Sequence, residues 1–317
     1  MKIALFSKRI EEGDSLLLTA LFQKIWESTS KEDTQEEFYF CPELVRWIQA
    51  HLPPYQEGIK SFTDVLPENT EVVLSLGGDG TLLDTLSLVK DSGVPVFGLN
   101  LGHLGFLSGI GREEVALALQ GLFSGLYVQD ERGVLQVCSQ SLSCFPKEEE
   151  KHAIQGSNEA IFSKMFPYAL NEVVVFKCDT DSLISIKVSV NGAFLNTYYG
   201  DGVVFATPTG STAYSLSCGG PILLPQADNL LITPVASHTL TVRPVVLPGD
   251  AQIEIQIEGT KEFKVSLDSK IYTLQSPFTF FIRKASFRFS TLRLKDRSFF
   301  DVIREKLMWG ANARNSN

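Results

Sequence analysis

The sequence predicts a doubly wound α/β domain at the N-terminus, then a mostly antiparallel β domain, and finally a helix that packs back on the first domain. Three observations carry this. Strand and helix signals alternate through the first third of the chain, and apolar residues recur with a period of two after about residue 123. Near the end, Phe299, Phe300, Ile303 and Leu307 fall on one helical face. On this reading residues 1–111 and 295–317 make up the α/β domain, and residues 112–294 the β-rich one.

Lys2 to Phe6 reads as a short apolar strand, followed by a helical period through Leu17, Leu21, Phe22, Ile25 and Trp26. Glu37 to Phe40 repeats the strand, and Pro42 opens a second helix. Val72-Val73-Leu74-Ser75-Leu76 is nearly continuous in apolar residues, the pattern of a parallel strand buried on both faces. A helix from Thr81 to about Val89, a strand over Val94 to Leu99 and a helix over roughly Arg112 to Phe123 complete the alternation. Ile184, Ile186, Val188 and Val190 then alternate with polar residues up to Asn191-Gly192, a hairpin turn pair. Ile253, Ile255 and Ile257 alternate in the same way, and Phe278 to Leu294 is strand-rich. Lys147 to Lys151 is a charge run of the kind found in solvated loops, and Ala311 to Asn317 reads as a frayed tail.

The chain has 317 residues, room for about two domains, with 44% hydrophobic and 21% charged residues, so composition excludes a disordered chain. A net charge of −9 argues against nucleic acid as a partner. The apolar stretch after Met1 meets Lys8 too early for a signal peptide, and no run is long enough to span a bilayer, so no membrane partner is expected. Five cysteines without C-x-x-C spacing fit reduced thiols and a cytoplasmic setting, with no metal site on cysteine.

Gly77-Gly78-Asp79-Gly80-Thr81 lies where a buried strand gives way to a helix. Glycine amides there can approach a phosphate closely, and the helix N-terminus favours an anion. A carboxylate beside phosphate is repulsive unless it holds Mg²⁺, accepts a hydroxyl proton or binds ribose; otherwise Asp79 simply caps the helix. No G-x-x-x-x-G-K-[ST] occurs, which excludes the P-loop class.

The Gly77 to Thr81 segment resembles the signature shared by NAD kinases, diacylglycerol and sphingosine kinases and 6-phosphofructokinases. Further segments narrow the resemblance to NAD kinases. Asn100 to Leu107 is similar to the segment beside the dinucleotide, with Phe106 either an adenine contact or a core residue and His103 read as structural. Asn171-Glu172 precedes a strand and offers amide and carboxylate to sugar hydroxyls, whereas Asn158-Glu159 lacks that strand and is read as a decoy. Gly200 to Ile222 holds seven hydroxyl side chains, four glycines after Asp201 and two prolines, a density no core strand needs. Ile232 to Leu240 with Arg243-Pro244, and Phe299 to Gly310, extend the likeness over about residues 70–310. Where the family reads aspartate, glycine, glutamine, this chain has Asp268-Ser269-Lys270, which leaves the ligand contact there open. The stretch from Ser139 to Phe166 has no counterpart and is assigned no role.

The resemblance implies transfer of the terminal phosphoryl group of ATP, or of polyphosphate, to the 2′-hydroxyl of the adenosine ribose of NAD, giving NADP. It implies Mg²⁺ with ATP, small-molecule nucleotides as partners and a homodimer or homotetramer. Asp79 is the expected catalytic base. The expected nucleotide contacts are Asp79, Gly80, Phe106, Asn171, Glu172, Asp201, Thr212, Ala213, Tyr214, Ser215, Leu216, Ser217 and Ala236, drawn from both domains. A lipid kinase sharing the Gly-Gly-Asp-Gly loop and a catalytically dead dinucleotide sensor are the rival readings.

Overall fold

A computed structural model describes residues 1–29, 36–52, 59–102, 105–108, 110–111, 114–139, 157–178 and 183–309. The described elements, in chain order, begin with β1 (Lys2–Phe6), α1 (Ser15–Thr29), β2 (Glu37–Phe40), α2 (Pro42–His51), β3 (Lys60–Ser61), β4 (Val72–Leu76), α3 (Asp79–Val89), β5 (Val96–Leu99), α4 (Val115–Phe123) and β6 (Tyr127–Arg132). There follow β7 (Leu135–Cys138), α5 (Asn158–Lys164), β8 (Tyr168–Ala169), β9 (Glu172–Lys177), β10 (Ile184–Val190), β11 (Ala193–Gly200), β12 (Gly202–Ala206), α6 (Tyr214–Ser217) and β13 (Asn229–Val235). The chain ends with β14 (Val245–Pro248), β15 (Ile253–Glu258), β16 (Glu262–Leu267), β17 (Lys270–Gln275), β18 (Phe278–Lys284), β19 (Phe289–Leu294) and α7 (Phe299–Leu307).

These elements divide into two compact units: Met1–Glu131 with Phe289–Asn317, and Arg132–Arg288. The boundaries therefore lie at 131 and 288 rather than at the expected 111 and 294. A period of two identifies a strand but not its sheet, and both β6 and β19 join the first unit's sheet.

In unit 1 that sheet runs β3-β2-β1-β4-β5-β19-β6, with parallel pairing from β3 through β19. The order reverses at β1 and β4, the switch point at which doubly wound sheets bind ligands outside the carboxyl ends of their strands. β4 is buried along its whole length, Ser75 included. On α1 the buried face is Leu18, Leu21, Phe22 and Ile25, one step round from the expected Leu17. On α7, Val302 and Ile303 are buried while Phe300 is exposed, so the expected apolar face shifts as well. The helix does return to unit 1, with the Lys306 ammonium 5.9 Å from the centre of the Phe106 ring.

Unit 2 packs two antiparallel sheets, β11-β10-β15-β18-β7-β8 and β14-β13-β12-β9-β16-β17. Ile184, Ile186, Ile255 and Phe280 from one, and Val173, Val175, Phe205 and Val265 from the other, share a single core. The opposite face of the second sheet carries a smaller cluster, Val174, Val204, Ala206 and Leu231. Burial on both faces explains why β9 and β12 read as unbroken apolar runs. Asn191 and Gly192 both take positive φ, as their hairpin turn requires.

The expectation of reduced thiols throughout is corrected at Cys138, which is disulfide-bonded; Cys41 and Cys218 carry free thiols. An odd count excludes complete pairing but permits a single bridge. No helix among the described residues is long and apolar enough to cross a membrane. His103, the 147–151 charge run and the 311–317 tail lie outside the described residues.

Candidate active site

The polar segments fall into two groups, one in each unit. In unit 1, α3 begins at Asp79, two residues before the expected Thr81, with Gly78 as its N-cap. Asp79 is therefore the first residue of the helix and caps nothing. Its carboxylate reaches across to the next loop: Oδ2 accepts from the Phe106 N–H at 2.8 Å, while Oδ1 accepts from the N–H of Leu107 and Ser108 and from the Ser108 hydroxyl, at 3.0 to 3.2 Å. This gathering explains Gly105, where a Cβ would lie 1.8 Å from Asp79 Oδ1.

The glycine amides are not equivalent. Gly77 N–H is committed to Leu99 O at 3.0 Å, a correction to the expectation that it faces phosphate. The amides of Gly78, Asp79 and Gly80 open the helix, where no intrahelical acceptor exists, and Phe106 is held beside them through its own N–H. Loop, acid and Phe106 are thus brought together.

In unit 2 a pocket of about 460 Å³ opens on the second sheet, and Glu172, Asp201 and Tyr214 all line it. Glu172 leads β9, so Glu172, Val174 and Phe176 face the pocket while Val173 and Val175 face the core. The turn before it is fixed by Asp268. Asp268 Oδ2 accepts from Leu170 N–H at 2.8 Å, and Oδ1 accepts from the N–H groups of Asn171 and Glu172 at 2.9 and 3.1 Å. Glu172 Oε2 and Asn171 Oδ1 are buried without a hydrogen-bond partner in the protein.

Burial, and then the neighbouring Asp268 carboxylate, push the Glu172 carboxyl up to about 8, against a hydrogen bond from the Tyr214 backbone. Burial also raises Asp268, to about 6, although its three amide donors favour the ionised form. Both shifts favour the protonated forms, that of Glu172 more strongly.

The remaining expected residues divide by role. Asp201 pairs with Lys177, whose Nζ lies 2.6 Å from Oδ1. Thr212 donates its hydroxyl to Thr209 O, Ala213 stands as the N-cap of α6, and Leu216 and Ser217 follow on α6. Ser215 is fully buried, its hydroxyl 2.8 Å from that of Thr233 and not on the pocket wall. Ala236 takes a positive φ of 44° just after β13. Gly210 packs against the Asn171 carbonyl, where a Cβ would come within 2.1 Å, and this ties the hydroxyl-rich segment to the Asn171-Glu172 turn. Asn158 is tied to the backbone of Gln275 through both its amide oxygen and its amide nitrogen, a structural role that agrees with its reading as a decoy.

Residues 7–127 match the family model of the ATP-NAD kinase N-terminal domain, and residues 170–294 that of the ATP-NAD kinase C-terminal domain. The chain belongs to the NAD kinase family. An NAD kinase of Flavobacterium johnsoniae is 39% identical over 320 residues, covering 99% of this chain and 100% of the relative. One from Bacteroides fragilis is 37% identical, with the same coverage. Among solved structures, yeast NADH kinase complexed with NADH superimposes with a TM-score of 0.80 at 22% identity, covering 100% of this chain and 90% of that one. An NAD kinase from Archaeoglobus fulgidus in complex with ATP gives 0.64 at 20%, covering 96% and 99%. The NAD kinase fold thus extends over the whole chain.

Three residues of this NAD kinase have roles that the sequence reading missed. Ser108 supports Asp79 and Lys177 supports Asp201, and neither left a local signal. Asp268 had one, because it stands in a two-residue turn between alternating strands, with a positive φ of 50°.

Proposed function

We propose that Asp79 is the general base with which this NAD kinase phosphorylates NAD to NADP, ATP being the donor and the 2′-hydroxyl of the adenosine ribose the acceptor. The carboxylate takes the hydroxyl proton as the oxygen bonds to the terminal phosphorus, and the bond to the bridging oxygen breaks to release ADP. A positioned base contributes roughly 10²- to 10⁴-fold to such a step.

The observation that carries this reading is the asymmetry of the Asp79 carboxylate. Oδ1 takes three hydrogen bonds and Oδ2 takes one, from Phe106 N–H, so Oδ2 keeps a lone pair for the proton. The amides at the head of α3, including that of Gly80, are suited to donor phosphates. Mg²⁺ fits as part of the ATP complex, since no cluster of three or more His, Cys, Asp and Glu among the described residues would hold it alone. Bound there, it supplies charge neutralisation on the phosphates.

For the dinucleotide we propose the pocket of unit 2. The unpartnered Oε2 of Glu172 and Oδ1 of Asn171 suit ribose hydroxyls and base amine, and Asp201, Tyr214 and the segment Thr212 to Ser217 supply the walls. Ala236 completes the proposed contacts in unit 2, and Phe106 is a proposed nucleotide contact in unit 1. A homodimer or homotetramer is supported by large apolar side chains left exposed on this unit, Phe194 and Leu240 among them. We propose a cytoplasmic setting on the free thiols of Cys41 and Cys218, against which the disulfide at Cys138 stands.

Purified protein with ATP, Mg²⁺ and NAD, read by an NADP-specific assay, tests the reaction. Parallel incubations with polyphosphate and with a long-chain base or diacylglycerol define the donor and exclude the lipid-kinase reading. NAD binding without NADP formation would leave only the dinucleotide sensor.

A further inference from the structure

The unit 2 pocket is polar at both ends and apolar between. Glu172 and Asp268 stand at one end, Lys177 and Asp201 at the other, with Val174 and Phe176 along the strand that joins them. Glu172 opens β9 and Lys177 closes it, which at about 3.3 Å per residue separates them by roughly 17 Å. A nucleoside held by its ribose hydroxyls at Glu172 leaves the Lys177 end to the other half of a dinucleotide.

At that end Lys177 and Asp201 are locked together twice. Lys177 N–H donates to Asp201 O at 3.1 Å, and the ammonium lies 2.6 Å from the carboxylate. The lysine side chain is 21% exposed and the aspartate 45%, so the carboxylate is the more open to a ligand and the cation stands behind it. NAD and NADH have nearly the same shape, and both carry a carboxamide. Their nicotinamide rings differ by one charge, +1 when oxidised and none when reduced, so fixed charge near the ring is what can tell them apart. Alone, the Asp201 carboxylate would favour the oxidised ring; the Lys177 ammonium offsets it.

We propose that Lys177 is a specificity-determining residue for the redox state of the acceptor, neutralising Asp201 so that the reduced dinucleotide is accepted beside the oxidised one. The inference rests on reading this pocket as the dinucleotide site.

Steady-state kinetics of the full chain with NAD and with NADH, at fixed Mg²⁺-ATP, test it. Lys177→Gln should raise the ratio of kcat/KM for NAD over NADH about three- to tenfold, mostly through KM, the scale of one unit charge about 4 Å away when screened as in bulk water. Lys177→Arg, which keeps the charge, should restore the wild-type ratio. Asp201→Asn leaves the cation unbalanced and should move the ratio the other way while raising KM for both acceptors. An unchanged ratio in Lys177→Gln, whether or not both activities fall together, would overturn the inference. Should that variant not fold, a ratio unmoved in Asp201→Asn with both KM values raised would overturn it equally. Unchanged KM values for both acceptors in Asp201→Asn would remove the dinucleotide reading itself.

Discussion

Asp79 in unit 1 and Asp268 in unit 2 each gather the N–H groups of three consecutive residues, 106–108 in one case and 170–172 in the other. Their settings differ. Asp79 is the first residue of a helix, where the dipole favours a negative charge, and it holds the Ser108 hydroxyl as well. Asp268 stands in a hairpin turn at positive φ, buried, with the Glu172 carboxyl as neighbour. The same clamp thus holds the proposed base in place in one unit and shapes a turn in the other. In each clamp Oδ2 takes a single hydrogen bond; Asp79 is the one proposed to use that oxygen as a base, whereas Asp268 presents Asn171 and Glu172.

The largest expected effect comes from breaking the first clamp. Asp79→Asn should lower kcat by at least about a hundredfold while NAD affinity stays within a few fold, the signature of a lost base. Near-normal turnover would reduce Asp79 to a loop anchor.

Asp268→Asn should act on the other parameter. An amide NH₂ would face at least one of the three backbone N–H groups, leaving a buried donor unsatisfied at a cost of about 1–3 kcal/mol. KM for NAD should rise several-fold, with a smaller change in kcat and a lower unfolding midpoint. A kcat loss as large as that of Asp79→Asn, at unchanged KM, would mean that the two aspartates share one role.

The acidic pair sharpens the contrast through pH. Glu172 and Asp268 hold protons more tightly folded than unfolded, so folding favours their protonated forms. Their contribution to stability is complete below the ordinary carboxyl range, near pH 4, and is lost as pH rises through about 6 for Asp268 and about 8 for Glu172. Between pH 5 and 8 the wild-type thermal midpoint should therefore fall more than that of Glu172→Gln, which has no proton to lose at that position. Parallel curves for the two proteins would place the proton elsewhere.

Much of this was legible in the chain because the signals were local. The all-buried run Val72 to Leu76, the Asn191-Gly192 turn and the Pro42 helix start each depend on neighbours in sequence, and each appears where expected. The acid in the glycine loop stood out for the same reason. What Asp79 touches did not, since its partners lie some 27 to 29 residues on and offer backbone N–H groups, which no side-chain pattern marks. Asp268 is nearly a hundred residues from the turn it holds. The domain boundary failed in a related way, because β19 has the alternation of a β-domain strand yet pairs with β5.

Ser215 gives the smallest expected effect and separates the two kinds of hydroxyl in the segment from Thr207 to Ser217. Its Oγ is buried against the Thr233 hydroxyl, and Gly220 packs so closely that a Cβ there would lie 2.2 Å from it. Ser215→Ala should therefore lower stability by about 1–2 kcal/mol, since it leaves the Thr233 hydroxyl buried and unpaired. Kinetics should barely move, with KM for NAD within twofold, because any contact Ser215 makes with the dinucleotide must come from its backbone. Tyr214, one residue earlier, is exposed on the pocket wall, and its truncation should raise KM. If Ser215→Ala instead raises KM as far as Asp268→Asn does while stability holds, the hydroxyl turns toward the ligand during turnover. The hydroxyls of this segment would then act together as a binding surface, and Asp268 would not be the only device that shapes the acceptor side.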